Sequence, residues 1–147
     1  MNAPGELEGE GLDALAQTLL ADLPDAVIYA DRDGTIRFWN AGAERIFGFN
    51  KSEAIGRSLD IIIPERLRQR HWDGYRHMMQ TGHSRYAADE LLAVPAVTKA
   101  GESLSIQFTV AAVRGADGAL SGIVAVLRDV TATFRELKRL RAAASGR

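Results

Sequence analysis

Hydrophobic and polar positions alternate along this chain in a way that changes period several times. Leu12, Leu15, Ala16, Leu19, Leu20 and Leu23 recur at helical spacing, with Asp13, Gln17, Thr18 and Asp22 between them, and Pro24 closes the segment. The pattern predicts an amphipathic helix over residues 11–23, preceded by a flexible Gly-, Glu- and Pro-containing N-terminus over 1–10. Residues 26–30 are β-rich. The turn Asp31-Arg32-Asp33-Gly34 and residues 35–40 then complete a hairpin, with Gly34 supplying a positive φ. Asn40 is placed to cap a short helix running toward Phe49, and a further helical turn falls near residues 52–56.

A longer helix is predicted from Pro64 to Thr81, ended by Gly82. Leu67, His71, Tyr75 and Met78 fall on one face of it, widened by Trp72 and Met79; Arg66, Arg68, Arg70 and Arg76 decorate the remainder. His71 therefore points inward and His77 toward the edge of the stripe. Residues 86–98 read as a strand region interrupted by Pro95. Leu104, Ile106, Phe108 and Val110 alternate with period two, and a turn at residues 115–118 leads to an apolar strand over 123–127. Two strands, several helices and three strands predict an α+β fold with an antiparallel sheet. Val130, Phe134, Leu137, Leu140 and Ala144 then lie near heptad spacing in a final helix.

Composition narrows the function classes. The chain has 147 residues, one domain's worth, with 46% hydrophobic and 25% charged residues. Eighteen basic against nineteen acidic residues give a net charge of -1, which argues against nucleic acid as a direct partner. There is no cysteine, so disulfides, thiolate metal sites and cysteinyl photo-adducts are excluded. Neither a signal peptide nor a bilayer-length apolar run is present, and the expected setting is cytoplasmic, away from membranes. No serine sits in a nucleophile elbow, no phosphate-binding glycine loop occurs, and the carboxylates show no acid–base partners, so an enzyme is not expected.

Seven short motifs stand in one order: Leu23-Pro24-Asp25-Ala26-Val27-Ile28, Asp33-Gly34-Thr35-Ile36, Trp39-Asn40-Ala41-Gly42-Ala43-Glu44-Arg45-Ile46-Phe47-Gly48, Glu53-Ala54-Ile55-Gly56, Ile63-Pro64-Glu65, Lys99-Ala100-Gly101-Glu102 and Leu127-Arg128-Asp129-Val130-Thr131. In order and spacing the chain resembles a PAS sensory domain. The resemblance implies a PAS fold over residues 24–131: a five-stranded antiparallel sheet with short helices and a long connecting helix on one face, enclosing a cavity for a cofactor or small ligand. The N-terminal flanking helix and a C-terminal signalling helix and tail over 132–147 would form a homodimer and pass the signal to an output domain or a partner signalling protein.

The run from Pro64 to Gly82 is also similar to the haem-binding helix of FixL-type oxygen sensors. Counting from Pro64-Glu65 or back from Thr81-Gly82 places His71 at the iron ligand of that group, although Trp72 here separates it from Asp73-Gly74-Tyr75. An imidazole supplies the axial nitrogen that haem iron needs. The resemblance thus implies b-type haem held by His71, with Ile106, Phe108, Val110, Ala125 and Leu127 along the sheet side. Trp72, Tyr75 and Met78 would border it on the helix side, or simply be core. His77 and Arg85 fall where that group places propionate partners. Glu90, Leu91 and Leu92 stand near the position of the strand arginine that meets bound oxygen, which turns the expectation toward carbon monoxide, nitric oxide or redox sensing. Two alternatives stay open: a module with no cofactor or with a metabolite, used for dimerisation and protein contacts, and a redox sensor carrying FAD.

Overall fold

A computed structural model describes residues 3–83 and 93–146. Helix α1 (Gly9–Asp22) leads into strands β1 (Ala26–Asp31) and β2 (Ile36–Trp39), then helices α2 (Ala41–Phe47) and α3 (Lys51–Ala54). Two 3-10 turns, Leu59–Ile62 and Glu65–Leu67, precede α4 (Arg68–Thr81); β3 (Ala93–Val97), β4 (Ser103–Arg114), β5 (Leu120–Asp129) and α5 (Thr131–Ala144) follow. The strands form one antiparallel sheet in the order β2-β1-β5-β4-β3.

Alternation along the strands decides which side chains face the helices. Ala26, Ile28 and Ala30 on β1 stand opposite Leu127, Ala125 and Ile123 on β5, and these in turn oppose Phe108, Val110 and Ala112 on β4. That inner face carries two apolar groups. One joins Ile28, Ile106 and Leu127 to Trp39 and Phe47; the other joins Ala30 and Ile123 to Tyr75 and Met78 of α4.

The corner where α2 meets β1 is closed by Asn40. Its Oδ1 accepts from Ala43 N at 2.9 Å as an N-cap and from Val27 N at 2.8 Å, while Nδ2 donates to the carbonyls of Asp25 at 3.0 Å and Leu23 at 3.3 Å. The backbones touch here: a Cβ at Gly42 would lie 2.1 Å from Asp25 O.

Two expectations need correction. Pro95 does not interrupt a strand but lies inside β3, paired with Ser105; β3 is the sheet's edge, where a missing N–H breaks no ladder. Helix α1 starts at Gly9, inside the segment expected to be flexible, and buries none of its leucines.

Candidate functional site

Helix α4 positions the candidate site. It begins after Pro64 and the 3-10 turn, and Gly82, with φ of 77°, ends it in a left-handed cap donating to Met78 O. Its inward face presents Tyr75 and Met78, both buried against Ala30 and Ile123. The Tyr75 hydroxyl donates to the carbonyls of Ala30 at 3.2 Å and Asp31 at 2.5 Å, and burial raises its pKa above the usual phenol range.

His71 lies one turn before Tyr75. Its ring is 4.7 Å from that of Trp72 at 74° and 6.0 Å from that of Tyr75. Its Nδ1 is fully buried and has no hydrogen-bond partner among the described residues. Burial lowers the imidazole pKa below its ordinary 6.5, with the Asp60 charge acting weakly the other way. The ring is therefore neutral at physiological pH, the form that can donate a nitrogen lone pair to a metal.

The other candidate residues divide between the two apolar groups. Ile106, Leu127, Phe108 and Ala125 belong to the group around Trp39, and Trp72 and Val110 to the group around Tyr75. Phe108–Leu127 and Val110–Ala125 are direct cross-strand pairs, and Phe108, Val110 and Ala125 remain partly exposed in the middle of the inner face. His77 is half-buried on α4. Arg85, Glu90, Leu91 and Leu92 lie outside the described residues. One interaction carried no sequence signal: Trp72 Nε1 donates to Asp60 Oδ1 at 2.8 Å, twelve residues away within an apolar run.

A half-buried imidazole whose Nδ1 is buried and unpartnered, set against the rings of Trp72 and Tyr75, suits a metal carried by its own macrocycle. An ion chelated by side chains needs several donors, and no group of three or more His, Asp or Glu side chains converges among the described residues. The residues present fit haem in these respects. A separate concavity of about 590 Å³, between α2 and the β3–β4 turn, is lined by Arg45, Phe47, Lys99, Glu102 and Leu104 among others and shares no residue with the His71 group.

A sequence model described as the PAS fold matches residues 20–135. The chain belongs to the PAS family. It is a PAS sensory domain with the expected α+β architecture. The sensor protein FixL of Bradyrhizobium diazoefficiens is 42% identical over 59 residues, which are 40% of this chain and 12% of that protein. The oxygen sensor protein DosP of Escherichia coli is 31% identical over 84 residues, 57% of this chain and 10% of DosP. An uncharacterized protein of Azorhizobium caulinodans is 33% identical over 135 residues, covering 90% of this chain and 18% of its own length. The chain thus spans less than a fifth of each of these relatives. Among solved structures, a PAS domain from Colwellia psychrerythraea matches with a TM-score of 0.70 at 20% identity, over 82% of this chain and 97% of that one. An RNA-binding light-oxygen-voltage receptor matches with a TM-score of 0.77 at 18% identity, over 99% of this chain and 40% of the receptor. These two likenesses concern the fold.

The connection out of the domain is also built from the family's motifs. The Asp129 carboxylate accepts from Thr131 N and Oγ1 at 2.9 and 2.5 Å, and Thr131 Oγ1 accepts from Ser105 N at 3.0 Å. Val130 N donates to Ser105 O at 2.9 Å, so the start of α5 is tied to β4. Beyond that tie α5 is exposed, with Phe134, Leu137 and Leu140 on its surface; α1 likewise exposes Leu12, Leu15 and Leu19. No helix among the described residues is long and apolar enough to cross a membrane.

Proposed function

We propose that this PAS domain binds b-type haem against the inner face of its sheet, with His71 as the axial ligand, and senses a diatomic gas or redox state. The observation that carries the reading is the buried, unpartnered Nδ1 of His71, on a helix similar to that of FixL-type sensors, in a chain 42% identical to FixL over 59 residues. When bound, haem supplies an iron whose remaining coordination position responds to gases or to electron transfer. The protein's share is to hold a neutral imidazole in place and to exclude water. Ile106, Phe108, Val110, Ala125 and Leu127 supply the apolar wall, and Trp72, Tyr75 and Met78 the helix side. His77, half-buried on the same helix, would serve as a propionate partner.

Strand β5 carries Ala125 and Leu127 and leads through Asp129 and Thr131 directly into α5. A shift at the cofactor wall would therefore reach α5, and the exposed stripes of α1 and α5 would convert it into a change of homodimer geometry that an output domain or signalling partner reads. Protein mixed with hemin should develop a Soret band of ligated haem, lost in His71→Ala; an unchanged spectrum in that variant contradicts the reading.

A second reading is favoured by a different observation. Tyr75 and Met78 already pack on Ala30 and Ile123, and the apolar stripes of both terminal helices are open. In that reading the domain carries no cofactor and works through dimer or partner contacts. Colourless protein that takes up no hemin, yet dimerises and becomes monomeric with Leu137→Asp, would establish it.

A further inference from the structure

The ring next to His71 is held unusually firmly for a residue at the edge of an apolar stripe. Trp72 is fixed at its polar end by the 2.8 Å hydrogen bond from Nε1 to Asp60 Oδ1. At its other edge it lies in the space left by Gly34, where a Cβ would be 2.1 Å from the indole ring; Gly34 also has a φ of 80°. Asp60 is itself secured, since its N–H donates to Ser58 Oγ at 3.1 Å and Arg68 donates to its carbonyl at 3.3 Å. Tyr75, 5.3 Å from Trp72, is pinned by the carbonyls of Ala30 and Asp31. His71 contacts both rings, and neither of its ring nitrogens is hydrogen-bonded among the described residues, so whichever one ligates, the other gives no anchor.

This arrangement poses a physical problem for a ligand. A coordinating imidazole is normally oriented by a hydrogen bond from its second nitrogen. Nothing among the described residues makes that bond, so the torsional freedom of His71 has to be limited by packing. The edge-to-face contact with Trp72 is the closest such restraint, and Trp72 can restrain only because Asp60 and Gly34 restrain it. We infer that Trp72 is a positioning residue for His71, and that Asp60, held beside Gly34 through the indole, sets the direction in which the imidazole nitrogen is presented. This rests on the haem reading given above and adds to it the residues that orient the ligand. It also gives a role to the tryptophan that separates His71 from Asp73-Gly74-Tyr75.

The test is an equilibrium hemin titration of the 147-residue chain and its variants, with the visible spectrum recorded throughout and far-UV circular dichroism confirming the fold. Trp72→Leu is expected to weaken hemin binding by about tenfold and to broaden the Soret band through mixed ligation. Asp60→Ala and Trp72→Phe, which keep more of the packing, should move in the same direction by less. Asp60→Asn keeps an acceptor for the indole and should recover most of the loss. A positioning role has a further signature. In His71→Gly supplied with free imidazole the tether is gone, so Trp72→Leu should cost only what the indole contributes as cavity wall, clearly less than in the tethered protein. In protein without hemin, nuclear Overhauser contacts between the His71 and Trp72 rings should be strong in the wild type and weak in Asp60→Ala.

Wild-type binding that is unaltered in affinity and spectrum by Trp72→Leu and Trp72→Phe overturns this inference and leaves the haem reading standing. An equal loss in the tethered and the imidazole-supplied backgrounds also overturns it, because Trp72 would then act as cavity wall or core. Failure of the wild type to bind hemin overturns both readings, and the ring contacts without hemin then report on packing alone.

Discussion

Asn40 is almost wholly buried and His71 half-buried with a buried Nδ1, and the fold treats these two polar side chains in opposite ways. Both side-chain polar atoms of Asn40 are hydrogen-bonded, and it ties the end of α1, the start of β1 and the first turn of α2 together. His71 touches the rings of Trp72 and Tyr75 and leaves a buried nitrogen without a bond. A buried polar group that is fully satisfied earns its place in the folded state; one that is not costs stability and needs another reason to be there. The contrast separates a structural side chain from a candidate ligand without reference to any relative.

Mutation should break the comparison with opposite signs. Asn40→Ala strands two backbone N–H groups and two carbonyls and should destabilise the fold by about 3 kcal/mol, lowering Tm by roughly 10 °C in thermal melts. Gly42→Ala forces a Cβ onto the Asp25 carbonyl and should cost about 2 kcal/mol at the same corner, measurable by urea unfolding. His71→Leu removes an unsatisfied nitrogen from a nonpolar setting. It should raise the stability of the cofactor-free protein by about 1 kcal/mol while abolishing ligation of hemin.

Acid sharpens the same point. Burial holds the His71 pKa below 6.5, so the unfolded chain binds the proton more readily than the folded one. Stability from this group is fully present above pH 6.5 and is lost as the pH falls through the folded-state value. Unfolding free energy should therefore decline as the pH falls below 6.5, and His71→Leu should remove that decline, leaving the carboxylates to act at lower pH.

Exposure at the ends of the chain gives the smallest effect on the fold. Leu15 and Leu137 stand 52% and 46% exposed, so replacement of either by Asp should change monomer stability by no more than about 0.5 kcal/mol. On the proposed homodimer the same changes should convert it to monomer in light scattering.

Much of the fold was legible because its signals are local. The period-two alternation of Ile106, Phe108 and Val110, the cap at Asn40 and the stop at Gly82 each depend on a few neighbouring residues, and each sits as the pattern indicates. Pro95 looks like a break from its neighbours alone because a proline is compatible with a strand only at an edge, and edge position is a property of the whole sheet. The inward stripe of α4 could be read from spacing, whereas the bond from Trp72 to Asp60 and the fit of the indole over Gly34 could not. They join three segments through contacts that no periodicity encodes. The leucines of α1 are a further instance: an amphipathic pattern states that a face is apolar and leaves open what covers it.

The central claim is that the nitrogen left unpaired on α4 is there to ligate iron. The most direct measurement is a hemin titration of the wild-type chain and His71→Ala, followed by visible absorption. The account predicts stoichiometric uptake with a sharp Soret band in the wild type, and a weak band of free or nonspecifically bound hemin in His71→Ala. Identical spectra and affinities for the two proteins, or no uptake by either, would contradict it.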